Sequence, residues 1–230
     1  MTFFSFFTNY LECLCFLVYF IALRIYYRKN KLAAVKQLSI YYLLITLLQL
    51  YGTVEVKLLK AGNVWVYDTV AVLTAAFISH HFYRLLESPT KKTTVVALFC
   101  IYLVYAVIHH ATMEGRRLFD SIGYSILSAS IAIYVFMFFH QMLQKVTAAS
   151  ILKDFNFWLA SGYLFYFIGS FFIFVSFYYF TMLVIENPKR EETRLLTALW
   201  GLHNVLLFIS ASSFLIGCLW IDSRKKLESS

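Results

Sequence analysis

Residues 157–184 read FWLASGYLFYFIGSFFIFVSFYYFTMLV, an unbroken run without a single Asp, Glu, Lys, Arg or His. At 1.5 Å per residue it forms a helix about 42 Å long, more than the roughly 30 Å of hydrocarbon in a bilayer. A soluble fold has no way to cover such a run on every side. In lipid a helix satisfies all of its backbone groups internally. Outward from this segment, six more apolar stretches occupy 5–23, 38–54, 64–82, 95–108, 122–139 and 195–221. Short loops and a short basic tail at 223–230 are all that remain. The expected architecture is an all-α membrane protein, a single seven-transmembrane-helix bundle over residues 1–222.

Composition agrees, with 61% hydrophobic and 14% charged residues. The net charge of +8 does not point to nucleic acid, because the basic residues sort by membrane side. The loops at 24–36, 84–92 and 145–153 and the tail hold 13 of the 20 Lys and Arg, and the opposite loops hold 7. Basic residues are retained in the cytoplasm, which places the N-terminus outside and the C-terminus inside. No Lys or Arg precedes Arg24, so the first stretch lacks the positive start of a cleaved signal peptide and is expected to stay as helix 1. Tyr and Trp near the stretch ends, such as Trp65, Tyr67, Trp158, Tyr178, Tyr179 and Trp220, fit interfacial belts.

Cys13, Cys15, Cys100 and Cys218 all lie in apolar stretches, so they are expected to be packing residues without a disulfide. The only prolines, Pro89 and Pro188, fall in loops. The Gly- or Pro-broken helices of many transporters are therefore missing, and small-solute transport ranks third among the functions considered. Gly162, Gly169 and Ser176 recur every seven residues on helix 6; Ser121, Ser125, Ser128, Ala129 and Ala132 line helix 5; Ser213 and Gly217 lie on helix 7. In lipid such small faces let neighbouring helices approach closely.

Polar groups inside the spans carry the functional expectation, because ionisable side chains in lipid are costly and face a cavity or a partner. Measured by helical rise from the cytoplasmic ends, Glu12 lies roughly 18 Å up, inside the hydrocarbon layer. Glu55, Asp68, His109, Ser125 and His203 fall roughly 22–28 Å up, with Asp120 at the outer surface. Glu12, Glu55, Asp68, His109, Asp120, His203 and Asn204 are therefore the candidate ligand-binding residues, lining a cavity that opens outward. His80, His81, Arg84, His140 and Asn156, at the inner level, are expected to meet headgroups or a cytoplasmic partner.

No cofactor is expected. A metal, if present, would draw on Glu12, Asp68, His109 and His203, which come from four separate helices. Adjacent pairs such as His109–His110 diverge by about 100° on a helix and do not chelate together. Several seven-helix families can be set against the residues. The paired helix 7 histidines of alkaline ceramidase-type hydrolases are not matched, since Leu207 follows His203 by four. Gly123-Tyr124-Ser125-Ile126 with His203 only faintly resembles the rhomboid serine–histidine arrangement. No Lys lies between Leu195 and Trp220, which excludes a retinal Schiff base there. His81-Phe82-Tyr83-Arg84 does not reproduce the acid–Arg motif of eukaryotic receptors.

Three sets of residues carry a closer likeness. They are Asn63-Val64-Trp65-Val66-Tyr67-Asp68; Phe157-Trp158 with Ser161-Gly162, Tyr166, Gly169 and Ser170; and Leu199-Trp200 with His203. Through them the chain resembles an uncharacterised family of bacterial seven-helix inner-membrane proteins, with Asp68 standing where Asn is expected. The resemblance implies the seven-helix fold and a bacterial inner (cytoplasmic) membrane, and it carries no catalytic residue. The leading expectation is a non-enzymatic membrane sensor or accessory subunit that binds a small or lipid-like ligand. Besides the lipid bilayer, its expected partners are a cytoplasmic signalling protein at the basic inner loops and a second copy of the chain. The alternative is a membrane-embedded, metal-dependent lipid hydrolase.

Overall fold

The computed structural model describes residues 3–59, 62–112, 119–144, 151–186 and 190–229. Among them it is all-helical: α1 (Phe3–Asn30), α2 (Ala33–Val54), α3 (Val64–Leu85), α4 (Pro89–Thr112), α5 (Ser121–Leu143), α6 (Phe155–Glu186) and α7 (Arg190–Ser229). A short π-helical turn, Glu55–Leu59, extends α2. Each helix outruns the apolar stretch that announced it, and α7 continues through the described part of the basic tail.

The boundaries follow local chemistry. α1 stops where Lys31 takes a left-handed conformation (φ 50°) and returns its N–H to the Tyr27 carbonyl at 2.8 Å. α4 opens on Pro89, which needs no backbone donor in the first turn. Asp120 caps α5 by accepting the Gly123 N–H at 2.8 Å, and Asp154 caps α6 through the Asn156 N–H at 2.8 Å.

Six helices, all but α3, are long and apolar enough to cross a membrane, which marks the chain as a multi-pass membrane helical bundle. α3 has the length, 22 residues or about 33 Å, but not the hydropathy. Asp68, Thr69, Thr74, Ser79, His80, His81 and Arg84 dilute it. Thr74, Ser79 and His81 among these are buried against other helices, whereas His80 and Arg84 are exposed.

α1, α2, α3, α5, α6 and α7 pack in sequence around a closed ring, with α7 returning to α1. α3 and α5 touch each other directly, and α4 lies on the outside of their seam. Val95 and Tyr102 are accordingly its only buried residues. The small faces sit at close approaches. A Cβ on Gly162 would come within 3.1 Å of the Ser210 carbonyl, and Gly169 faces Leu206, both on α7. Gln141 ties the C-terminal end of α5 to the α3–α4 turn, accepting the Glu87 N–H at 2.9 Å and donating to the Leu85 carbonyl at 3.3 Å. The four cysteines are free thiols, with Cys15 and Cys218 buried.

Candidate functional site

The ring encloses an interior dominated by tyrosine. Tyr19 of α1 and Tyr42 of α2 stack with centroids 4.5 Å apart and planes at 4°. Tyr42 donates across the bundle to the Tyr163 hydroxyl of α6 at 3.0 Å. Tyr41 pairs with Thr74 of α3 at 2.8 Å. Ser210 donates to the Gly162 carbonyl at 2.6 Å, so the Tyr19 hydroxyl that meets Ser210 donates to it. Buried hydroxyls without partners would each cost free energy, and this network satisfies them across α1, α2, α3, α6 and α7.

Within it lies a cavity of about 30 Å³, room for about two water molecules. Its wall includes Glu12, Tyr41, Tyr42, Tyr124, Tyr163 and Tyr166. Glu12 accepts a hydrogen bond from the Gln49 side-chain amide of α2 at 2.9 Å. A carboxyl group inside an apolar helical bundle needs such a partner, and Gln49 supplies it.

His203 stands behind the wall and does not line the cavity. It is 2% exposed, with Nε2 at 3.2 Å from the Tyr166 hydroxyl and Nδ1 at 3.3 Å from that of Ser170. Phe174, Tyr166 and Trp200 surround its ring at centroid distances of 4.9, 5.2 and 5.4 Å. Asn204 beside it is fully buried. Above, toward the helix ends carrying fewer basic residues, Tyr67, Phe119 and Trp200 form an aromatic layer. Phe119 contacts Tyr124 and Phe174, both of which line the cavity, and Trp200 contacts Phe119 at 5.4 Å. Tyr67, expected in an interfacial belt, packs in this layer at 5.4 Å from Trp200.

The remaining sequence candidates lie elsewhere. Glu55 is at the surface, accepting the Trp65 indole N–H at 2.9 Å. Asp120 sits on the outer flank with His109 Nε2 at 3.9 Å, and its Oδ1 also accepts from Tyr105 at 2.7 Å. Asp68, half-buried on α3, lies within electrostatic range of Asp120, His109 and His110. The seven candidates thus divide between a central group (Glu12, with His203 and Asn204 behind the tyrosine wall), an outer-flank group (Asp68, His109, Asp120) and the separate Glu55.

This division bears on chemistry. Among the described residues no three His, Cys, Asp or Glu side chains come together in a way that would hold a metal ion. Glu12 and His203 are in one group and Asp68 and His109 in another, so the four residues do not form a common ligand set. Ser125 donates to its own helix at Ser121, 2.8 Å, and lines an outer groove, while His203 faces Tyr166 and Ser170. Of the residues expected at the inner level, His80, Arg84 and His140 are exposed, but His81 is buried, with no hydrogen-bond partner for Nε2 among the described residues. Adjacent positions on a helix point about 100° apart, which separates His80 from His81.

Gln49 and the tyrosine hydroxyls were not among the sequence candidates. Gln49 is the only amide in the span 38–54, which was the available signal. No known protein family, curated protein or solved structure matches the chain.

Proposed function

We propose that this chain is a membrane-embedded sensor or accessory subunit whose ligand enters the Glu12 cavity from the outer side. The supporting observation is the Glu12–Gln49 pair beside a tyrosine-walled cavity, at a depth where an ionisable group has no structural benefit without a partner. At about 30 Å³ the cavity holds only water, so a larger ligand displaces that water and moves the tyrosines and their helices. Binding that favours the opened arrangement shifts the population toward it. Tyr163, Tyr166 and His203 connect the cavity wall to α6 and α7, whose inner ends border basic segments that a cytoplasmic partner can read.

In this reading all seven helices span a bacterial inner membrane, N-terminus outside. The excess of Lys and Arg on one side supports the orientation, and the inward-turned polar residues of α3 support its place as a span.

Native mass spectrometry of the full chain released from membranes in mild detergent tests the proposal. A small molecule retained by wild type and lost in Glu12→Gln, with His203→Ala weakening retention, is the expected result. A Glu12→Gln chain that retains the same molecule to the same extent would overturn the cavity assignment.

A further inference from the structure

The wall of the central cavity constrains the charge of whatever it holds. Nine of the sixteen described residues around it are aromatic, and Glu12 is the only Asp, Glu, Lys, Arg or His among them. Tyr124 of α5 and Tyr166 of α6 lie within electrostatic range of Glu12. Gln49 donates to Glu12 Oε1 at 2.9 Å, and among the described residues nothing donates to Oε2. An ionised carboxyl group in an apolar bundle needs a positive partner, and this wall supplies none.

The hydroxyl groups on the wall add a second constraint. Each has one proton to give and two lone pairs to receive. Tyr42 gives its proton to Tyr163 at 3.0 Å, and Tyr124 to the Tyr67 carbonyl at 2.8 Å. Tyr19 gives its proton to Ser210, which itself donates to the Gly162 carbonyl. Thr74 donates to the Val70 carbonyl at 2.7 Å, so Tyr41 is the donor in their 2.8 Å pair. Five hydroxyl protons are thus committed to protein oxygens, and what these groups retain is acceptor capacity. An anion would meet a carboxyl group and at most the hydroxyls of Ser128, Tyr163 and Tyr166. An ammonium group finds the opposite: a carboxyl oxygen, further acceptors, and aromatic rings that attract a cation over their faces. It also fits, since about 30 Å³ takes a group the size of one or two waters.

We propose that the ligand of this cavity is a small cation of the ammonium type, ammonium itself or a primary alkylammonium, with an N–H on Glu12 Oε2 and the tyrosine rings around it. The inference rests on the Glu12 cavity as the ligand site and adds the charge and chemical class of the ligand. Potassium carries the same charge but has no N–H to direct at Oε2. It is held by a shell of oxygen atoms, and Glu12 is the only carboxyl group among the described wall residues. Preference for the ammonium group over potassium follows.

The test is equilibrium binding of radiolabelled methylammonium to the full chain in mild detergent, read by scintillation proximity in a potassium buffer. Wild type is expected to bind one methylammonium saturably, to release it to unlabelled ammonium, and to keep most of it when potassium is in about tenfold excess. Glu12→Gln keeps an acceptor for Gln49 but removes the charge, and is expected to weaken binding at least about tenfold, the equivalent of one charge-assisted hydrogen bond. Glu12→Asp keeps the charge and is expected to retain part of the binding. Thermal melting of each chain establishes that it is folded. No saturable binding by wild type, displacement by potassium as effective as by ammonium, or undiminished binding in a folded Glu12→Gln chain would each overturn the ammonium assignment. Native mass spectrometry separates this from the cavity itself. A neutral or anionic molecule retained through Glu12, without methylammonium binding, overturns the cation and leaves the cavity as the ligand site.

Discussion

Gln49 of α2 donates its side-chain amide to Glu12 of α1 at 2.9 Å, joining two neighbouring helices beside the central cavity. The pair gives the Glu12 carboxyl a donor inside the apolar bundle. Removing only the amide leaves the carboxyl buried without its donor, whereas removing both polar groups does not.

Gln49→Leu is therefore expected to destabilise the bundle by about 1–3 kcal/mol. The double variant Glu12→Leu/Gln49→Leu is expected to lose less than Gln49→Leu alone. Reversible denaturation in mixed micelles measures both. Equal stability of Gln49→Leu and wild type would show that Glu12 does not depend on the amide.

Two glycines should respond with opposite sign. A Cβ on Gly162 would sit 3.1 Å from the Ser210 carbonyl and 3.2 Å from the Tyr19 hydroxyl, so Gly162→Ala is expected to cost about 1–3 kcal/mol through overpacking. A Cβ on Gly201 of α7 would meet no neighbouring atom within 4 Å, so Gly201→Ala is expected to gain up to about 1 kcal/mol from helix propensity. The same denaturation assay reads the two side by side, and a common sign would contradict the packing described.

His81 is buried with Nε2 unpaired among the described residues, and its ring meets Phe82 at 5.7 Å. Replacing it by Phe removes an unsatisfied polar atom at similar shape. His81→Phe is expected to be neutral or to stabilise by about 1–2 kcal/mol, since an orphaned buried polar atom costs that much. A marked loss of stability would reveal a partner for Nε2.

The orientation can be read chemically in cells. With the four native cysteines replaced by serine or alanine, Gly62→Cys is expected to react with an impermeant maleimide from outside. Lys31→Cys, at the α1–α2 turn, is expected to react only after the membrane is opened. The reverse pattern would invert the proposed topology.

Much of this protein was legible along the chain because lipid imposes one-dimensional rules. Each span must be apolar over a fixed length, and helical rise converts position into depth. The helices and the close-packing faces at Gly162 and Gly169 follow from those rules. Hydropathy worked least well for α3, where it is diluted by residues that turn inward, including Thr74, Ser79 and His81.

A depth ruler is silent about direction around each helix axis and about which helices are neighbours. Glu12, His109 and His203 were grouped because their depths are similar. In the folded bundle, His109 lies out on α4, beyond the α3–α5 seam, and His203 lies behind Tyr166. The contact of Gln49 with Glu12 and the tyrosine wall drawn from helices distant in sequence have the same origin. The sequence by itself determined that these helices are long and apolar enough for a membrane, because hydropathy over a fixed length is a property of single segments. Only the tertiary structure decided which side chains meet, because that depends on how several rigid helices rotate and pack against one another.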